Sequence, residues 1–395
     1  MMTSEPDERA AIPENVHYID DRQALQSICA QFAQYDVLAV DTEFVREKTY
    51  FPKLCLIQIA SHDLAACIDP LVLDDLSPLR ELLDNANIKK IFHAARQDLE
   101  ILKQDLGIIP SPIFDTQIAA TLLGLGEQLS YAHLVNHFLK VQVDKGQSRT
   151  DWELRPLAQE QISYAADDVR YLIGIYPMML AELNRLGRLD WLEEDFRAIT
   201  EPALYEVNPQ EQWQRVSGVQ KLRGVQLAIL QALAAWREEQ AIKSDKPRKW
   251  ILPDNILLAI AMQNPRRRDQ LERIRGLNSS IFDKHGDTIL ALLEQARALP
   301  ASAWPVTTRR RKLDTNQEAV LDAVMAIIKL CAAQQQLNTS ALGSRQDVEA
   351  LVAEHADIPL LHGWRKGLAG QAVLDFLAGK RQLHISDSRL TLLNG

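Results

Sequence analysis

Apolar residues recur along the front half of the chain with two different periods, and these separate strands from helices. Val37-Leu38-Ala39-Val40 is an apolar run that leads directly into Asp41-Thr42-Glu43-Phe44, the pattern of a buried strand with acids at its end. Val16–Ile19 reads as a short strand before a helix over 22–32. Leu54 to Ala60 and Leu64 to Asp69 are strand patterns separated only by Ser61-His62-Asp63, so they are expected to form a hairpin. A helix over 78–83, a strand over 89–93 and a helix over 94–106 follow. Asp115-Thr116 opens another helix, running to about 125, and Ser130 caps the next, to about 140. Pro156 suits the first position of a long helix, whose stripe is Ile162, Ala165, Val169, Leu172, Ile173 and Tyr176. Strands followed by helices in this order imply a mixed sheet with helices packed on it.

Beyond about residue 205 the expectation is helices without strands. One block covers 206–300, with helices over 225–239, 255–263, 269–275 and 286–298. Residues 301–314 read as a basic linker that includes Arg309-Arg310-Arg311-Lys312. A second block, 315–395, has helices over 318–335, 345–354 and 368–378. Each block has a glycine-apolar pair before its last helix, Gly276-Leu277 and Gly363-Trp364, which suggests a duplicated small helical domain.

Composition narrows the class. At 395 residues, with 47% hydrophobic and 25% charged, the chain is an ordinary globular protein long enough for two or three domains. The polar, acidic start carries no secretory signal, and no apolar run approaches the roughly 18 residues of a membrane span. Cys29, Cys55, Cys67 and Cys331 have no Cys-x-x-Cys spacing, which argues against a zinc site or a disulfide framework. A cytoplasmic monomer is expected. The net charge of -9 conceals a balance of -15 over residues 1–205 and +6 over 206–395. An acidic front joined to a basic rear fits a metal-dependent catalytic unit with a polyanion-binding tail.

Asp41 and Glu43 are one residue apart, so strand alternation points them to one face and Thr42 to the other. Two adjacent carboxylates repel each other unless a cation sits between them, which makes a hard divalent metal the first functional hypothesis, although Asp-x-Glu taken alone is a common pattern that reads more readily as a solvated strand end. In the helix after residue 94, Ala95, Leu99, Leu102 and Leu106 form the apolar stripe, and Asp98 lies about 70° from its centre. It is either a ligand on the flank near the strand ends or a solvated surface acid; Glu100 points further outward and Asp105 lies further from the strand end. In the long helix, Asp167 falls about 170° from the stripe and is expected to face water, whereas Asp168 falls about 90° from it, at the packing edge. Tyr164 lies one turn before Asp168 on the same side. Four carboxylates at one sheet edge fit two Mg²⁺ ions about 3.5–4 Å apart, the arrangement used for in-line phosphodiester hydrolysis. With an ordinary pKa near 10, Tyr164 orients the attacking water rather than acting as a strong base.

Asp41-Thr42-Glu43-Phe44, Asp98 and Tyr164-x-x-x-Asp168 resemble the three exonuclease motifs of the DEDD superfamily, in its tyrosine-type branch. The stretches Asp-Thr-Glu-Phe-Val-Arg, Phe-His-Ala, Asp115-Thr116 and Ser148-Arg149-Thr150-Asp151-Trp152 are similar to those of the ribonuclease D family. The helical blocks resemble HRDC domains, which occur in that family and in RecQ helicases. The resemblance implies an α/β RNase H-like exonuclease domain over 1–205 followed by two all-α HRDC-like domains. The implied activity is 3′→5′ exoribonuclease trimming of tRNA precursors and other structured RNA 3′ ends, releasing 5′-mononucleotides with two Mg²⁺ or Mn²⁺ ions. By position, Asp41, Glu43, Asp98 and Asp168 are the implied metal ligands and Tyr164 the water-positioning residue. Thr42, Phe44, His93, Lys145 and Arg149 are candidate substrate contacts, though Phe44 and His93 read first as packing residues and Lys145 and Arg149 are the better candidates of these, because a terminal phosphate needs a nearby cation. The alternatives are a DNA 3′→5′ exonuclease, which differs only in contact with the 2′-OH, and an inactive RNA-binding adaptor.

Overall fold

The computed structural model describes residues 12–144, 146–147, 150–307, 313–354 and 356–395. The chain divides into two compact units. The first holds the described residues up to Val45, Leu54–Tyr205 and the chain from 313 onward; the second holds Arg46–Lys53 and 206–307.

The first unit is built on one six-stranded sheet, in the order β1-β4-β3-β2-β5-β6. Its strands are β1 (Val16–Ile19), β2 (Val37–Val45), β3 (Lys53–Ala60), β4 (Ala65–Ile68), β5 (Lys89–Phe92) and β6 (Ile113–Asp115). The expected hairpin is present: β3 and β4 run antiparallel with Ala60 opposite Ala65, while β1 with β4, β2 with β5 and β5 with β6 are parallel. β6 is an addition to the sequence reading, three residues being too few to show a period. Helices α1 (Arg22–Phe32), α2 (Ser77–Asp84) and α3 (Arg96–Leu106) cover one face. Helices α4 (Thr116–Leu122), α5 (Tyr131–Leu139) and the 27-residue α6 (Gln159–Arg185) cover the other, with α7 (Leu192–Thr200) following. The α3 stripe Ala95, Leu99, Leu102 and Leu106 is buried in the first layer, and Val169, Leu172 and Ile173 of α6 in the second.

Lys90 is wholly buried in β5. Its Nζ donates to the carbonyls of Asn85 at 2.8 Å, Ile88 at 2.7 Å and Ser111 at 2.8 Å, one for each ammonium hydrogen, which is how a buried cation is tolerated.

The second unit contains α8 (Val225–Ser244), α9 (Arg248–Ile251), α10 (Asp254–Gln263), α11 (Arg268–Glu272) and α12 (Ser279–Ala298). Leu230, Leu233, Leu257, Ile260, Ile289 and Leu293 are fully buried in its core. Arg237, also buried, donates to Asp254 Oδ1 at 2.6 Å and to the Leu252 carbonyl at 3.0 Å. Gly276 has φ +88°, a left-handed conformation that favours glycine in the turn before α12.

The remaining elements of the first unit are α13 (Thr315–Gln334), α14 (Thr339–Leu342), α15 (Arg345–Glu354), α16 (Gly363–Arg365), α17 (Gln371–Leu377), β7 (Arg381–Ser386) and β8 (Arg389–Asn394). Gly363, like Gly276, has positive φ. Trp364 stacks on Trp191 with ring centroids 4.8 Å apart, and Arg365 Nη2 donates to Asp195 Oδ1 at 2.9 Å. The β7–β8 hairpin corrects the expectation that strands end near residue 205 and that the last block is all helical. Asp387 and Ser388 both take positive φ and form the two-residue loop between Ser386 and Arg389. Leu383 pairs with Leu392, and both pack on the block's core. The other positions are largely exposed, yet Leu383-His384-Ile385 and Leu390-Thr391-Leu392 alternate on either side of Asp387-Ser388, a short hairpin signal that the all-helical expectation passed over.

Candidate active site

β2 sorts its residues by parity. Leu38 and Val40 enter the layer beneath α1–α3, and Ala39 enters the layer beneath α4–α6. Asp41 and Glu43 share the parity of Ala39, and Thr42 that of Val40. On the α6 side, Asp41, Glu43 and Asp168 meet: one carboxylate oxygen from each lies within 4.8 Å of the other two. On the α3 side, Thr42 Oγ1 donates to Asp98 Oδ1 at 2.5 Å. Asp98 sits in the first turn of α3 and is only 6% exposed, so it is not a solvated surface acid. Thr42, a candidate substrate contact, holds this carboxylate through its own hydroxyl.

All four acids are pushed toward their neutral forms, chiefly by burial. Asp41 rises to about 7. Glu43 rises to about 9, with added repulsion from Asp41, Asp168 and Asp98. Asp98 and Asp168 are raised well above the usual carboxylate range by burial and by the Asp41 charge. An all-oxygen donor set that cannot carry its charges unaided fits hard divalent cations. Tyr164 is held above its ordinary range by burial and then by Asp168, Glu43 and Asp41. Its ring lies 6.3 Å from that of Trp152, centroid to centroid. It therefore keeps its proton at neutral pH and acts as a hydrogen-bond donor.

A model of the 3′-5′ exonuclease family matches residues 16–184, and an HRDC domain model matches residues 226–293. The chain is 40% identical to ribonuclease D of Sphingobium indicum, covering 95% of this chain and 97% of that one. It is 36% identical to ribonuclease D of Zymomonas mobilis over the same shares. The crystal structure of Escherichia coli RNase D superposes with a TM-score of 0.83 at 32% identity, covering 93% of this chain and all of that one.

The chain belongs to the ribonuclease D family. It is accordingly a 3′→5′ exoribonuclease, a family of enzymes that work with divalent cations, and the acid cluster on β2 and α6 suits that requirement. No described helix is long and apolar enough to cross a membrane.

Several of the residues expected at the site are placed differently by the fold. Asp167 does not face water. Its carboxylate pairs with Arg170 and is only 18% exposed, and burial raises its pKa. Helix α5 packs over this side of α6, and the Tyr131 hydroxyl donates to the Asp167 carbonyl, so a helix angle measured from one stripe misjudges a helix covered on two sides. His93 has both ring nitrogens engaged, Nδ1 with Thr116 Oγ1 and Nε2 with the Leu129 carbonyl, each at 2.9 Å. It is therefore a bracket between β5 and the start of α5, with no nitrogen left for substrate. Phe44 is partly buried against the core of the α1–α3 layer, which restricts it to an edge contact. Lys145 and Arg149 lie outside the described residues, as does the run Arg309 to Lys312.

Three residues position the site without having been candidates for it, although Asp115 stands out in the sequence as a helix opening. Asp115 is buried at the end of β6 and accepts from the backbone N–H groups of Ala94 (3.1 Å), Ala95 (2.8 Å), Gln117 (2.8 Å) and Ile118 (3.3 Å). One carboxylate thus caps α4 and fixes the left-handed Ala94, φ +63°, where β5 turns into α3 and aims Asp98. Arg155 grips the buried Asp69, with Nη2 to Oδ1 at 2.8 Å, and donates to the carbonyls of Trp152 and Cys55, each at 2.7 Å. It thereby fastens the segment that leads into α6. Tyr131 braces the turn of α6 that carries Asp168. The Asp-Thr pair opening α4 was a visible N-cap signal for Asp115; the long-range partners of Arg155 and Tyr131 leave no such signal.

Proposed function

We propose that this enzyme trims the 3′ ends of tRNA precursors and other structured RNA, releasing 5′-mononucleotides one at a time. The observation that carries the site is the meeting of Asp41, Glu43 and Asp168 within 4.8 Å, brought from a strand and a helix more than a hundred residues apart. Asp41, Glu43, Asp98 and Asp168 are the proposed ligands of two cations, Mg²⁺ or Mn²⁺. Such cations make water a better nucleophile and stabilise the departing 3′ oxygen. Tyr164, protonated and one helical turn from Asp168, holds the attacking water in line. Thr42 fixes the rotamer of Asp98, so that the carboxylate is in place before substrate arrives.

Structured RNA is the favoured substrate because the Escherichia coli relative is described as an exoribonuclease involved in structured RNA processing. The charge distribution agrees. Residues 46–53 and 206–310 together hold 20 Lys and Arg against 12 Asp and Glu, whereas 311–395 holds 9 of each. The basic excess therefore belongs to the first helical block, 206–300 with the following linker; the second block, 315–395, adds none. The exonuclease domain is assigned to 1–205. Incubation of a 3′-labelled RNA hairpin with a single-stranded tail, alongside the DNA of the same sequence, tests the reading. Release of nucleoside 5′-monophosphate from RNA in preference to DNA is expected; equal or faster release from DNA rejects it.

A further inference from the structure

We propose that the second unit carries a stacking site for unpaired RNA bases, with Trp250 and Phe51 as its exposed rings and Lys243, Lys246 and Lys249 on the stretch of chain that leads to Trp250. This rests on RNA being the substrate and names a second point of contact, carried by a different unit from the acid cluster. Trp213 and Trp236 of the same unit are buried in its core, but Trp250, on α9, is 58% exposed. A single exposed apolar side chain is unremarkable; the neighbourhood is what distinguishes this one. Phe51 is 37% exposed, and its ring meets that of Tyr50 edge-on at 4.8 Å. Tyr50 is itself buried, with its hydroxyl donating to Glu238. Arg248, two residues before Trp250, lies over the Tyr50 ring at 5.2 Å and holds Glu238 through Nε at 2.6 Å and Nη2 at 2.8 Å. Asp245 Oδ1 accepts from the backbone N–H groups of Tyr50 at 3.0 Å and Phe51 at 3.1 Å.

This knot fixes the backbone on which both exposed rings stand, so the platform is organised before ligand arrives. It also divides the cations. Arg248 is committed to Glu238, whereas Lys243, Lys246 and Lys249 are exposed and have no ion-pair partner among the described residues. Flat aromatic faces beside free ammonium groups are the combination that holds single-stranded nucleic acid, bases on the rings and phosphates on the lysines. A double helix offers no free base face and would use only the lysines. The segment 46–53 also continues directly from the strand that carries Asp41 and Glu43, which ties the platform by chain connectivity to the element that carries the acids.

Binding of a fluorescein-labelled oligouridylate of about 20 nucleotides to the full chain, with EDTA present to prevent hydrolysis, tests this against a blunt RNA duplex. Trp250→Ala is expected to weaken oligouridylate binding by about fivefold or more, the loss of one stacked base. Trp250→Phe, which keeps a ring face, should stay within about twofold of wild type, and duplex binding should not change with either variant. Replacing Lys246 and Lys249 by Glu should flatten the salt dependence for both ligands. Oligouridylate binding by Trp250→Ala at wild-type affinity overturns the proposal, as does an equal loss on the duplex. A wild-type enzyme that releases no nucleotide from RNA in Mg²⁺ would instead refute the function on which the proposal rests.

Discussion

Asp41 should make the metal-free enzyme less stable, and replacing it by Asn should raise stability while abolishing activity. The native state holds the Asp41 proton to about pH 7, whereas an unfolded chain releases it near the ordinary carboxylate value of about 4. The native state therefore binds the proton more tightly, and stability falls as pH rises from about 4 through about 7. A shift of about three units corresponds to about 4 kcal/mol at most. Water and buffer cations reaching the cluster reduce this, and about 2 kcal/mol is a reasonable expectation at pH 8. For a unit of this size that is a rise of about 4–8 °C in Tm. Thermal unfolding of wild type and Asp41→Asn in chelator should give equal Tm at pH 4 and a higher Tm for the variant at pH 8. Added Mg²⁺ should raise the wild type and leave the variant nearly unmoved, because only the intact cluster gains binding energy. An Asp41→Asn Tm at or below wild type at pH 8 in chelator would refute the electrostatic account of the cluster.

Other substitutions separate chemistry from scaffolding. Tyr164→Phe should slow nucleotide release about tenfold or more while leaving Mn²⁺ affinity unchanged by titration; an unchanged rate removes its proposed role. Tyr131→Phe, which frees the Asp167 carbonyl, should lower kcat with little change in KM, since the Asp168 turn is misplaced while RNA contacts stay; a change in KM alone would contradict this. Lys90→Met leaves three buried carbonyls without their donor and should cost about 2–4 kcal/mol in urea unfolding; a neutral effect would mean that water replaces the ammonium.

Much of the catalytic half was legible because its cues are local. The β2 run, the α3 stripe and the α6 stripe each declare a period, and strand parity alone placed Asp41 and Glu43 together with Thr42 opposite. What the sequence could not supply is long-range cover. Asp167 lies on the outward angle of α6 yet is enclosed, because α5 and its Tyr131 return over that face. His93 stands next to a strand end, as a substrate contact should, yet Thr116 and Leu129 occupy it from elements 23 and 36 residues away. The allocation of 46–53 to the second unit depends on Glu238 and Asp245, nearly two hundred residues further on. The β7–β8 hairpin is a different case: Leu383-His384-Ile385 and Leu390-Thr391-Leu392 alternate around Asp387-Ser388, a local signal that the all-helical expectation for this block passed over.

The most direct measurement is single-turnover release of the terminal nucleotide from a 3′-labelled RNA by Asp168→Asn, with and without Mg²⁺, beside wild type. Asp168 joins the cluster from far along the chain and only through the fold, so its loss tests the assembly rather than the strand motif alone. Metal-dependent release of 5′-mononucleotide by wild type is expected, with none by the variant and RNA binding by both within about twofold, since the acids do not attract phosphate. Release by Asp168→Asn at the wild-type rate would show that hydrolysis does not occur where these carboxylates meet.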